Sequence, residues 1–180
     1  MNSYYDNAEL LTLGLKHFGD NVLISKKASI YGANNIVIGN NVRIDDFVIL
    51  SGNITIGDYV HIAAYSGLFA NKGCIIIGNY CGVSPRSTLL ASSDDFSGEY
   101  LISPLVSEEC TNVKVGQIIL NDFCQVGTNS CILPNVIMGE GSVIAACSLA
   151  TKSINEWTIN VGIPCKFYKN RSRKLLDYLK

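Results

Sequence analysis

Aliphatic residues recur along the chain every six positions, a period that is neither helical nor the simple alternation of an exposed strand. The series runs Ile38, Ile44, Leu50, Ile56, Ile62 and Leu68, then restarts at Ile77, Val83 and Leu89. It returns at Leu120, Val126, Ile132, Met138, Ile144 and Ala150. Positions two earlier are again apolar or small, as at Ile36, Val42, Val48, Ile54, Val60, Ile75, Cys81, Ile118 and Cys124. Glycine repeatedly follows the periodic residue, as in "IVIGNN", "ITIGDY", "IIIGNY", "CQVGTN" and "VIMGEG". A fixed internal period marks a solenoid and takes precedence over local propensity. Each unit offers a short strand with two inward side chains, then a turn where glycine or asparagine tolerates unusual backbone angles. Three units make one triangular turn of about 18 residues, and turns stack at about the 4.8 Å spacing of paired strands. The pattern predicts an all-β solenoid, a parallel β-helix; a sandwich of short strands would not hold a strict six.

The period breaks twice. Near "FANKG" three extra residues enter before Ile77, and between Leu89 and Leu120 a longer excursion, 91–117, leaves the prism. That excursion begins within "TLLASSDDFSGEY", and long loops in compact domains are usually functional. The ends cap the stack. "DNAELLTLGLKHFG" reads as a helix with Asp6 or Asn7 as N-cap, His17 near its end and Gly19 just past it. "RSRKLLDYLK" reads as a basic amphipathic helix. The expected organisation is a single domain over 1–180, with a helical cap over 1–21, the repeat over 22–165 and a tail helix over 166–180.

Composition narrows the function classes. A chain of 180 residues can bury a real core. Its 14 basic and 15 acidic residues give no electrostatic footprint for nucleic acid or an anionic membrane. No apolar run approaches the roughly 20 residues of a membrane span, and the start has no secretory pattern, so a cytoplasmic protein is expected. Seven cysteines form no CxxC pair and read as reduced, mostly buried residues. With only His17 and His61 to assist, no metal site is expected, and a metal-dependent carbonic anhydrase, which needs three histidines, is nearly excluded.

The hexapeptide period, the long loop and the closing "NVGIPCKFYKNRSRKLL" together resemble the left-handed β-helix acyltransferases, with "GIPCK" similar to that family's G-x-P-A-K close. The resemblance implies a left-handed coil, a homotrimer with active sites between neighbouring prisms, and an acyl-CoA donor, acetyl-CoA in the first instance. The stretches "HIAAYSGLF", "GVSPRSTLLASSDDFSGEY" and "SLATKSINEW" look like the branch that N-acylates nucleotide-linked amino-dideoxy sugars. Its acceptors are of the dTDP-4-amino-4,6-dideoxyglucose type, implying a place in surface polysaccharide (lipopolysaccharide O-antigen) biosynthesis. Galactoside and maltose O-acetyltransferases share the architecture and carry a catalytic histidine in the long loop. Here Asp94 falls at that position, and a one-residue shift offers Asp95 or Ser93, never a histidine.

Aspartate in that place suits an amine. Attack by a hydroxyl needs a base, and imidazole with a pKa of about 6.5 serves where a carboxylate of about 3.9 is weak. A neutral amine is already nucleophilic and needs orientation and compensation of its growing charge, which Asp94 can supply. His61 precedes the inward Ile62 and points outward, on a different face from Asp94, so the two could meet only across a subunit junction. It either takes a hydroxyl proton, the basis of an O-acetyltransferase alternative, or packs at the interface. Ser84 follows Val83, one turn on in the column of Ile62, and could reach the same pocket; Ser93, Asp95 and Tyr65 complete the expected acceptor contacts. For the donor, the resemblance implies a pantetheine path along Gly127, Ala145 and Ala146, with Lys152, Lys166, Arg171 and Arg173 near the CoA phosphates. The alternative from another class is a non-catalytic binding or structural solenoid.

Overall fold

The computed structural model describes residues 3–179 and is a left-handed parallel β-helix of about seven turns. On a first face, Leu23–Ile24, Arg43–Ile44, His61–Ile62, Gly82–Val83, Gln125–Val126 and Val143–Ile144 stack as parallel strands. A second face carries Ser29–Tyr31, Thr88–Leu90, Cys131–Ile132 and Leu149–Ala150. A third carries His17–Phe18, Ile36–Ile38, Gln117–Leu120 and Val136–Met138. The longer strands Ile49–Ile56 and Gly67–Ile77 turn the corner from the second face to the third.

Every residue of the six-residue series is at most 1% exposed, and the positions two earlier are buried with it. Each such aliphatic side chain contributes about 1.5–3 kcal/mol through burial. The three extra residues are taken up where Gly67–Ile77 passes Ile49–Ile56, whose register shifts around Gly52. Gly52 has φ +93°, and a Cβ there would lie 2.7 Å from Asn71 N, so the detour needs glycine at that point.

The ends differ from the sequence expectation. The N-terminal helix covers only Asn7–Thr12, closed by a capping box between Asp6 and Glu9. Gly14, at φ +71°, turns the chain out of it. His17 is then no helix-end residue: His17–Phe18 forms a strand of the first turn, in register with Val37 and Ile38. Lys16 N and Gly19 N donate to the carbonyls of Ile36 and Ile38, partners that a continued helix would have forgone. At the other end the expected tail helix over 166–180 opens instead with a strand. Cys165–Asn170 folds back antiparallel on Thr158–Gly162, pairing the backbone of the last turn. Only Lys174–Leu179 is helical, as 3₁₀ turns. Residues 1, 2 and 180 of the expected caps lie outside the described residues.

The long excursion closes at a neck, where Ser92–Ser93 pairs antiparallel with Lys114–Val115. Asn71 Nδ2 braces this neck with a 2.7 Å hydrogen bond to Ser92 Oγ. No helix among the described residues is long and apolar enough to cross a membrane.

The packing distinguishes neighbours on one strand. Ile77 is fully inside the prism, whereas Ile76 is 39% exposed. Ile77→Ala is expected to cost about 2–5 kcal/mol and Ile76→Ala less than about 1.5 kcal/mol, read by chemical denaturation. Equal losses would contradict the inward assignment.

Candidate active site

On the first face the residues flanking each inward side chain form two outward columns. Arg43, His61, Gly82 and Gln125 precede the buried residues; Asp45, Ala63, Ser84 and Gly127 follow them. Between these columns lies an open cavity of about 530 Å³ lined by Asp45, His61, Ala63, Gly82, Ser84 and Gln125, among others. Two of the predicted residues, His61 and Ser84, therefore share one cavity.

Asp45, Arg43 and Gln125 had no role in the sequence reading. His61 Nε2 lies 2.8 Å from one Asp45 oxygen, and Arg43 Nε donates to the other at 2.7 Å. Tyr4 donates a longer bond, 3.4 Å, to the same carboxylate. Burial alone would raise the Asp45 carboxyl, but the hydrogen bonds from His61 and Arg43 outweigh it and hold the group below the usual carboxylate range. An ionised Asp45 can only accept, so the proton in this contact sits on His61 Nε2. The signal for Arg43 and Gln125 was available: each stands one place before a periodic residue, as His61 does.

A second cavity, of about 520 Å³, opens at the root of the excursion and is lined by Asn71, Lys72, Ser92, Ser93, Asp94 and Phe96, among others. Asp94 is exposed there and also lines an adjoining space of about 350 Å³. Ser93 Oγ donates to the Asp94 carbonyl at 3.2 Å. Asp95, an expected acceptor contact, is engaged within the loop. Its buried carboxylate accepts from Ser97 N at 2.7 Å and from Asn112 Nδ2 at 2.8 Å, tying the loop to itself. Those bonds hold its carboxyl below the ordinary range. Within one protomer Asp94 and His61 thus open into separate cavities.

The remaining candidates divide. Tyr65 sits on a corner at φ +62°, stacked 4.9 Å from Phe47 with the Arg86 guanidinium above it, and lines neither cavity. Gly127 is small for a structural reason: a Cβ would lie 2.4 Å from Ala146 N of the next turn. Ala145 is half-buried, while Ala146, Lys152 and Lys166 are exposed. Arg171 and Arg173 are already engaged. Arg171 Nη1 donates to the carbonyls of Phe123 and Gly141 at 2.6 and 2.9 Å. Arg173 lies 5.1 Å over the Trp157 ring and pairs with Glu156. Both pin the tail to the prism.

The family model for the bacterial transferase hexapeptide (six repeats) matches residues 35–70. The chain is 43% identical over 178 residues to a dTDP-4-amino-4,6-dideoxy-D-glucose acyltransferase of Escherichia coli, covering 97% of this chain and 92% of that protein. It is also similar to solved structures of AntD, an N-acyltransferase from Bacillus cereus. The S84C variant of AntD, in complex with dTDP-4-amino-4,6-dideoxyglucose and coenzyme A, gives a TM-score of 0.97 at 45% identity, over 99% of this chain and 96% of AntD. AntD in complex with dTDP and 3-hydroxybutyryl-CoA gives 0.97 at 46% identity, over 99% and 95%. Its D94A and D94N variants are known in complex with dTDP and coenzyme A.

The Asp45 network carries a pH signature. A carboxyl lowered in the folded state stabilises fully above its unfolded value of about 3.9 and loses that contribution as pH falls through the folded value. The melting temperature of wild type should therefore exceed that of Asp45→Asn at neutral pH, with the gap shrinking as pH falls below about 4. A gap unchanged down to acid-induced unfolding would show that the ion pairs do not stabilise the fold.

Proposed function

The chain belongs to the hexapeptide-repeat acyltransferases, and from that premise we propose that it transfers an acyl group from acyl-CoA to the amine of dTDP-4-amino-4,6-dideoxyglucose. The observation that carries this reading is the likeness to AntD along nearly the whole chain, together with a serine and an aspartate here at the numbers altered in AntD, Ser84 and Asp94. An aspartate at the root of the loop, opening into a cavity, is what amine acylation requires of that position.

The reaction is direct. Asp94 accepts a hydrogen bond from the neutral amine, aims the nitrogen lone pair at the thioester carbonyl carbon and balances the positive charge that grows on nitrogen. The C–N bond forms, the C–S bond breaks, and the proton lost from nitrogen ends on the departing sulfur, giving amide and free thiol. Ser84 and His61 face the acceptor from the first face, with His61 oriented by Asp45. Ser93 supports Asp94. Ala145, Ala146, Lys152 and Lys166 lie on the exposed path assigned to the donor. Acetyl-CoA is the first donor to test, with 3-hydroxybutyryl-CoA beside it.

Two separate cavities in one protomer favour a homotrimer in which Asp94 of one subunit meets His61 and Ser84 of the next. Seven free thiols suit a reducing, cytoplasmic setting.

The first test is CoA release from acetyl-CoA with the amino sugar. Asp94→Asn is expected to lose about 10²-fold or more in rate, and His61→Asn less than about 10-fold. No turnover by wild type, or loss only for His61→Asn, would overturn the amine mechanism; the second outcome would favour hydroxyl acceptors with His61 as base. The second test mixes subunits. Co-expressed Asp94→Asn and Ser84→Ala chains should recover about one quarter of wild-type activity, since one junction in four then joins two intact halves. No recovery would place each site within one chain.

A further inference from the structure

Ser84 has two ways to use its hydroxyl, as acceptor or as donor, and the neighbouring turn decides between them. Gln125 Nε2 lies 2.9 Å from Ser84 Oγ and 3.2 Å from the carbonyl oxygen of Val126. The second contact settles which end of the carboxamide is which. A carbonyl oxygen can only accept, so the atom facing it is the NH₂ group; the flipped amide would set two oxygens against each other. Gln125 therefore donates to Ser84 Oγ. The amide lies over Gly82, where a Cβ would be 2.4 Å from Gln125 Oε1, so the glycine one turn back in Gln125's own column is what admits this pose.

With Oγ accepting from Gln125, the serine proton must go elsewhere. No group among the described residues accepts it, and the hydroxyl lines the cavity that also holds His61. We propose that Gln125 is a positioning residue that fixes the Ser84 hydroxyl as a hydrogen-bond donor into the site. The inference rests on the acyl-transfer reading above. In that reaction a donor is of no use to the amine, whose lone pair must stay free to attack. It serves the thioester carbonyl oxygen, which gains negative charge as the C–N bond forms. An amide N–H on Oγ also polarises the O–H and strengthens it as a donor.

Polarity, and not size, is what the substitutions must separate. Gln125→Glu keeps the shape but offers a carboxylate, which can only accept and so captures the Ser84 proton. Gln125→Met removes the donor yet leaves that proton free. The expected order of kcat is wild type, then Gln125→Met, then Gln125→Glu, with Gln125→Glu within about threefold of Ser84→Ala and the acceptor KM changed by less than about threefold. The double variant Ser84→Ala/Gln125→Glu should be no slower than Ser84→Ala alone, because Gln125 acts through the serine. Thermal melts check that each variant is folded; the methionine variant keeps the test open if the half-buried carboxylate destabilises the chain. A glutamate variant faster than the methionine one, additive losses in the double variant, or a loss confined to KM would each overturn the proposal while leaving the acyltransferase reading intact. An inactive wild type would overturn both.

Discussion

Backbone hydrogen bonds between successive turns, such as Gly57 N to Ile77 O and Ser84 N to Val126 O, hold neighbouring strands in register. A slip of one residue would turn every inward isoleucine toward water. Register is therefore fixed by the interior, and the exterior inherits it. That inheritance builds the site. His61, Gly82 and Gln125 stand in one column because Ile62, Val83 and Val126 stand in the column beside it. The carboxamide of Gln125 reaches Ser84 across the empty place at Gly82.

The corners show the cost of such regularity and how it is met. Tyr59, Tyr80, Phe123 and Trp157 all adopt positive φ, a conformation that L-residues reach at about 1–2 kcal/mol each. Their rings stack at 4.8, 5.3 and 6.2 Å along the prism, each pair worth about 0.5–1.5 kcal/mol, so the ladder offsets much of the strain. Beside it runs a polar ladder. Asp58 Oδ1 accepts from Asn40 N, Asn79 Oδ1 from Asp58 N, and Asp122 Oδ1 from Asn79 N. Asn and Asp at these corners are thus joints between turns as much as local turn formers.

The prism was legible because one physical rule, burial every sixth residue, repeats until no local preference can compete with it. His61 and Ser84 were legible as partners for the same reason. What escaped depended on how the chain leaves and re-enters the stack. Whether Gln125 lies above Gly82 is decided by the closure of a loop whose pairing, Ser92–Ser93 with Lys114–Val115, involves no periodic residue. Asp95 was read as an acceptor contact because a one-residue shift brings it to the place of Asp94, whereas Ser97 and Asn112 engage its carboxylate. At the ends, His17 and Lys166 carry helix-compatible sequence, but unpaired strand groups on the adjacent turns recruited them into sheets.

The neck of the long loop separates two kinds of inheritance. Ala91 lies on one side of it and Gly116 on the other, and Gly116 N donates to Ala91 O at 2.9 Å, so the chain leaves the prism and rejoins it at nearly the same point. Anything between can lengthen or change composition without shifting the turns above, and doubling a flexible loop adds only about 0.6 kcal/mol of closure entropy. Asp94, which we propose faces the acceptor, sits on that segment, while the apolar columns answer to packing alone. Drift in one need not be matched by drift in the other, so descendants of such a scaffold can diverge in the molecules they modify while their interiors stay superimposable.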